Sequence, residues 1–332
     1  MNKIKIGIIG YGSWVKDAYL PALKKDGRGD IIAIAVGSEA TAKSVKKKFG
    51  DSIDIYIGFE KLLQSPEVDA VMIAVPDSIH AKAIEASLES GKAVFYEPPI
   101  AHTRTLIPEI IKKLLNAPQI THADLELALV PAVIEASDLI RNKAIGNIHS
   151  ASIRLQSNWG PDPDQDINNI HRLGVWYTHV LNVILNSSPK RVLIMDGYGT
   201  KGRRQSQSTG FFDYDGMWGE FKVNIDSVEK LKINIEVIGD GGDLYLDILT
   251  GEIKIRTKNN PAGKTILLPA IQPYADWPGM HESVSSFLNA VEHGISSFAN
   301  ATTVANLHLI GLATEESKNT GAWATVKNLE EL

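Results

Sequence analysis

The sequence predicts an α/β protein in two parts: a doubly wound parallel sheet, followed by an α+β domain built on a largely antiparallel open sheet. Three observations carry this reading. Near-continuous apolar runs alternate with helix-spaced segments through the first third of the chain, a glycine turn follows the first run, and beyond about residue 145 the strands alternate between apolar and polar residues.

The first-part strands are expected at Ile4–Ile9, Ile31–Val36, Ala70–Val75 and Ala93–Tyr96. Between them lie segments with helical spacing, such as Ile79, Ala83, Ala86 and Leu88. Strands without polar alternation, separated by helices, fit a parallel sheet covered on both faces. Later segments, "HSASIRLQSN", "EFKVNIDS", "KLKINIEVIG" and "GEIKIRTK", read as half-buried strands, with turn signals at Asp240-Gly241-Gly242 and Thr250-Gly251. Helices are expected at Asn168–Leu185, Met280–Glu292 and Thr302–Lys318. Strands in series with helices to one side predict an α+β domain. The division is drawn as residues 1–122 and 123–332.

Composition excludes several classes. A net charge of -5 over 332 residues argues against nucleic acid or an anionic membrane as partner. The absence of cysteine excludes disulfides, thiolate metal sites and thiol nucleophiles. No apolar run is long enough to span a bilayer and no secretory h-region opens the chain, so a cytoplasmic protein is expected. No metal site is expected: "DPDQDI" starts like a calcium loop, but Ile167 replaces its turn glycine and Leu173 its bidentate acid.

"KIGIIGYGSWVKDAYLPAL" places Gly10 and Gly12 where the first strand ends and a helix begins. Glycines there let backbone N–H groups approach a pyrophosphate, with the positive end of a helix behind them. Tyr11, Ser13 and Trp14 complete the turn, and Val15 stands where a third glycine is usual. At the tip of the second strand, Ser38 admits a 2′-phosphate while Glu39 repels one, so NAD and NADP both stay open.

Four segments together resemble the glucose-fructose oxidoreductase and inositol dehydrogenase family (Gfo/Idh/MocA): "GIIGYGSWVKDAYLPAL", "SPEVDAVMIAVPDSIHAKAIEASLESGKAVFYEPP", "AIGNIHSASIRL" and "GVWYTHVLNVIL". The resemblance implies a Rossmann domain binding NAD or NADP and a second domain that binds a carbohydrate derivative. It further implies that the open sheet packs against a partner subunit, as a homodimer or homotetramer. The family's Pro-Asn-x-x-His pattern is matched by Pro76 to His80, where His80 either bonds a backbone carbonyl or serves the cofactor. Its Glu-Lys-Pro motif is matched by Glu97 and Pro99, but Pro98 takes the place of the lysine that touches substrate and nicotinamide ribose. The Pro98-Pro99 bond is a candidate for the cis form. Of its Asp-x-Gly-x-His-x-x-Asp helix motif only His179 remains, the other positions reading Val175, Tyr177 and Asn182.

The resemblance therefore points to an NAD(P)-dependent oxidoreductase acting on a sugar, polyol or related hydroxy compound, with His179 as the proton carrier. Substitutes for the missing lysine and aspartate are sought in His171, Arg172 and Tyr177 on the long helix, and in His122, Asp124 and Glu126 at the domain crossing. Trp159 and Tyr274 are expected as an aromatic wall for a sugar. The double departure at Pro98 and Val175 keeps two alternatives open: a cofactor-binding sensor or partner subunit without dehydrogenase activity, and NAD-assisted elimination of the glycosidase kind.

Overall fold

The computed structural model describes residues 3–160, 166–198, 205–271 and 277–332. The chain forms two compact units, one of residues 1–124 with 274–305, the other of residues 125–273 with 306–332. The single cut expected at 122/123 is thus corrected: a C-terminal segment returns to the first unit.

The first unit opens with β1 (Ile4–Ile9), a wide turn of π-helix (Val15–Tyr19), α1 (Leu20–Asp26), β2 (Gly29–Val36) and α2 (Glu39–Phe49). It continues through β3 (Asp54–Ile57), α3 (Glu60–Gln64), β4 (Ala70–Ile73), α4 (Asp77–Glu89), β5 (Ala93–Tyr96), α5 (Ile107–Leu115) and β6 (Thr121–Ala123). Every pair in this sheet is parallel, in the order β3-β2-β1-β4-β5-β6. β4 and β5 are wholly buried, which explains their unbroken apolar sequence. The order reverses between β1 and β4, so the carboxyl ends of these strands flank the switch point where such sheets bind ligands.

The second unit begins with a 3₁₀ turn (Glu126–Leu129) and α6 (Pro131–Arg141), then β7 (Ile148–Ser157) and α7 (Asn169–Leu185). There follow β8 (Arg191–Tyr198), β9 (Gln205–Asp213), β10 (Trp218–Asn224), β11 (Leu231–Gly239), β12 (Gly242–Asp247), β13 (Glu252–Thr257) and β14 (Asn260–Leu267). After α8 (Pro278–His293) and α9 (Ala301–Thr320), β15 (Ala324–Thr325) closes one edge of the sheet. Its order is β14-β13-β12-β11-β7-β10-β9-β8-β15. Among the described residues of this sheet only β7 and β10 run parallel. Alternation sends Ile153 and Leu155 of β7 and Phe221 and Val223 of β10 inward, against α7, and Arg154 and Lys222 outward.

α8 is the returning segment. Its Met280, Val284, Phe287 and Leu288 join the core around Ile6, Tyr19, Ile34 and Phe95. Arg28 fastens it by donating to the carbonyl and hydroxyl oxygens of Ser285, both at 2.9 Å.

Candidate active site

The glycine turn after β1 has the backbone that the sequence demands. Gly10 holds a φ of +102°, and a Cβ there would lie 2.0 Å from the carbonyl oxygen of Ala74, so no other residue fits without moving the backbone. Gly12 has nothing within 4 Å of where a Cβ would project. The turn is exposed at Gly12 and Ser13, leaving room for a phosphate to reach its backbone N–H groups. Tyr11 is buried beneath it, edge-on to Phe49, with the Lys16 ammonium over its ring. The residues therefore fit a dinucleotide.

Trp14 and Tyr19, on the turns that follow, both donate hydrogen bonds to one oxygen of Glu97. Glu97 is half-buried at the carboxyl end of β5, and this bracket ties the glycine turn to the strand end. Pro98 and Pro99 behind it are buried, and the bond between them is cis. Pro98 thus closes the position that a lysine would open. Pro76 caps α4, while His80 lies buried with Nδ1 2.7 Å from the Pro99 carbonyl oxygen and Nε2 2.6 Å from that of Val75. His80 pins the proline loop to the end of β4, which corrects a direct cofactor contact. Ser38 is exposed at the tip of β2 and caps α2, accepting from the Thr41 amide at 3.3 Å; Glu39 is exposed beside it.

Two expected substrate residues belong instead to the core of the first unit. His122 is fully buried on β6, stacked on Phe95 with ring centroids 4.9 Å apart, and burial pushes its imidazole down to about 3. Its hydrogen bonds have a direction. Ser283 donates to Asp124 Oδ1 at 3.0 Å, so His122 Nε2–H donates to Ser283 (3.0 Å), and Nδ1 accepts from Ser297 (2.5 Å). Asp124 is likewise fully buried. Both side chains are packed inside the first unit.

In the second unit His171 is also corrected. It is 1% exposed, with Nδ1 3.3 Å from a Glu315 oxygen and Nε2 3.2 Å from Nδ1 of His308. The same Glu315 oxygen accepts from the Asn168 amide at 2.7 Å, and Asn168 caps α7 by accepting from the His171 amide at 2.9 Å. Gly311 of α9 faces the imidazole so closely that a Cβ would lie 1.9 Å from Cδ2. Burial alone would raise the Glu315 carboxyl, but the hydrogen bond and charge of His171 and the Asn168 amide outweigh it and hold it low. Burial, then the His171 charge, push His308 well below its ordinary value. This cluster bolts the first turn of α7 to α9.

Tyr177 is corrected as well: it is buried, stacked on Phe221 at 5.1 Å, and burial followed by the Glu126 charge raises its hydroxyl. Val175 is 1% exposed, packed where the family places its aspartate. His179 is half-buried on α7, no described residue hydrogen-bonds its ring, and burial lowers its imidazole to about 4. It is neutral at pH 7 and able to accept a proton, but the orienting partner expected for it is not found among the described residues. Trp159 is 48% exposed just beyond β7, whereas Tyr274 lies outside the described residues. Among the described residues no group of three or more His, Asp or Glu could hold a metal ion. No helix there is long and apolar enough to cross a membrane.

Residues 4–123 match the profile of an oxidoreductase family with an NAD-binding Rossmann fold (Gfo/Idh/MocA). The chain is 30% identical over 100 residues to dTDP-3,4-didehydro-2,6-dideoxy-alpha-D-glucose 3-reductase of Saccharopolyspora spinosa, covering 30% of each chain. It is 29% identical over 100 residues to inositol 2-dehydrogenase of Agrobacterium fabrum, again 30% of each. These matches span less than two thirds of either relative. Among solved structures, levoglucosan dehydrogenase in complex with NADH and L-sorbose superposes with a TM-score of 0.86 at 18% identity, over 99% of this chain and 100% of that one. An oxidoreductase domain protein from Kribbella flavida does so with the same score, identity and coverage.

Proposed function

Because residues 4–123 match the profile of an oxidoreductase family with an NAD-binding Rossmann fold, we propose that this chain transfers hydride between a nicotinamide cofactor and a sugar, polyol or related hydroxy compound. The observation that carries the reading is the glycine turn, closed to any side chain at Gly10 and open above Gly12. Nicotinamide, when bound, supplies the hydride acceptor or donor. The turn amides hold the pyrophosphate, and the Glu97 bracket with Trp14 and Tyr19 fixes the turn against β5. His179 accepts the proton of the carbinol hydroxyl while the hydride leaves the carbinol carbon. A base whose imidazole sits near 4 is fully available at pH 7 but pulls weakly, so its assistance falls at the lower end of the usual range of about 10²–10⁴-fold.

The test is His179→Asn. Expected are a roughly 10²-fold loss of kcat and unchanged cofactor affinity, with no inflection from His179 in the wild-type oxidation profile between pH 5.5 and 8. An inflection near 6.5 that vanishes in the variant would show a solvated histidine instead. A second reading, a cofactor-binding sensor or partner subunit, is favoured by the burial of Pro98 and Val175 where the family has lysine and aspartate. Tight cofactor binding without turnover of any sugar or polyol would select it. The outer face of the second sheet, with Met195 64% and Trp218 52% exposed, suits a second copy in a homodimer or homotetramer, which the molar mass in solution tests.

A further inference from the structure

On the face of the second sheet that points away from α7, β7 and β10 lie in parallel register with Lys222 opposite Arg154 and Asn224 opposite Gln156. β9 continues both rows, with Thr209 opposite Lys222 and Gln207 opposite Asn224. These six side chains line one open cavity of about 440 Å³. Each offers N–H or O–H donors, and none of the six is an acid. Elsewhere on this face a cation stands opposite an acid and pairs with it, as Arg191 does with Asp213 and Arg256 with Asp243. Here two cations face each other, an arrangement that weakens a sheet. The acids nearby do not cancel them. Glu220 meets Lys222 at 3.6 Å, but among the described residues no hydrogen bond or ion pair engages the Arg154 guanidinium. On the other side of β7, Asn234 stands opposite Arg154 and gives its amide to Asp247 at 3.1 Å. Asp196 also lines the cavity, with Lys318 at 3.3 Å from its carboxylate.

We propose that this cavity is a second binding site, which takes a phosphorylated sugar or polyol by its phosphate. Arg154 gives two parallel N–H donors to a pair of phosphate oxygens, and Lys222 meets the remaining charge. A phosphate dianion suits two cations on neighbouring strands better than a carboxylate, whose single charge one of them satisfies. The amides of Gln156, Asn224 and Gln207 and the Thr209 hydroxyl meet the hydroxyls of the sugar. Asn224 already holds its oxygen to the Asp226 backbone amide at 3.0 Å, so its NH₂ is the group it offers. The volume is that of a small-molecule site. The proposal does not depend on the oxidoreductase reading, since His179 sits on α7 against the opposite face of the sheet. It does share its face with the surface offered to a second copy, and the experiment separates the two occupants.

The experiment is calorimetric titration of the full chain, at constant ionic strength, with glucose 6-phosphate, inorganic phosphate, gluconate and glucose. Expected is one glucose 6-phosphate per chain, bound at least about 10-fold tighter than inorganic phosphate or gluconate, with no detectable binding of glucose. R154Q and K222Q should each weaken glucose 6-phosphate by about 10-fold or more. K264Q, which removes an exposed lysine on β14 of the same sheet, and H179N should leave it unchanged. The melting temperatures of free R154Q and K222Q should hold or rise, because each relieves the facing charges, and this shows that both variants fold. Four results overturn the proposal. They are no binding of glucose 6-phosphate, gluconate bound as tightly as glucose 6-phosphate, an equal loss in K264Q, which means diffuse attraction, and a loss in H179N but not in R154Q, which puts the ligand in the candidate active site. A molar mass that falls in R154Q and K222Q, with no sugar phosphate bound by wild type, gives the cavity to a second copy instead and overturns it as well.

Discussion

Replacing Gly12 with alanine separates cofactor binding from folding. Gly12 does not hold a positive φ, and the added Cβ meets nothing within 4 Å, so the free protein should keep its stability to within about 0.5 kcal/mol. The same methyl group occupies the space above the turn amides, where a pyrophosphate would have to approach. Pushing a phosphate away from those amides weakens at least one charge-assisted hydrogen bond, about 1.5–3 kcal/mol, or roughly 10- to 150-fold in affinity. Gly10→Ala is the contrasting perturbation. Its Cβ would overlap a backbone oxygen at 2.0 Å in a left-handed backbone that costs alanine about 1–2 kcal/mol, so it should lower both stability and affinity. The assay is NADH fluorescence titration beside thermal unfolding of the free proteins. G12A with wild-type NADH affinity would refute the placement of the phosphate over this turn.

Three further outcomes follow from the buried groups. His122 holds its folded value near 3 against an ordinary 6.5, so its contribution is fully present above about pH 6.5 and is lost as the pH falls toward 3; at pH 5 the loss is about 2 kcal/mol. Urea midpoints at pH 7 and 5 measure it, and a His122→Asn protein that keeps the full pH dependence would contradict it. Gly311→Ala gains up to about 1 kcal/mol in helix propensity but drives a methyl group into an imidazole wedged between Glu315 and His308, so a net loss of about 1–3 kcal/mol is expected by thermal unfolding. A more stable variant would mean that the ring can move. Tyr96 buries a hydroxyl without a partner among the described residues, so Tyr96→Phe should be neutral or stabilise by about 1 kcal/mol in urea unfolding, and a marked loss would reveal a bond to that hydroxyl.

The first sheet was legible because burial on both faces leaves unbroken apolar runs, as in β4 and β5, and the glycine turn was legible because only glycine fits at Gly10. Elements without periodic contrast were missed. β14 reads Asn260-Pro261-Ala262-Gly263, an exposed edge strand with no apolar alternation. The return of α8 to the first unit escaped notice because an apolar stripe such as Met280, Val284 and Phe287 says that a face is buried but not against which partner. The polar residues failed for the same reason. His122, Asp124, His171 and Tyr177 look like site chemistry when only their type and spacing are known. Burial distinguishes them, since each is packed inside a core, while His179, on the same helix as His171 and Tyr177, keeps part of its surface.

The central claim is hydride transfer by this chain. It is tested most directly by incubating the purified protein with NAD or NADP and sugars, sugar acids and polyols deuterated at their carbinol carbons, then measuring deuterium in the reduced nicotinamide by mass spectrometry. The account predicts one deuterium per reduced cofactor with at least one compound, slowed roughly 10²-fold by His179→Asn. Reduced cofactor without the label, or no transfer from any compound while NADH binds tightly, would contradict it.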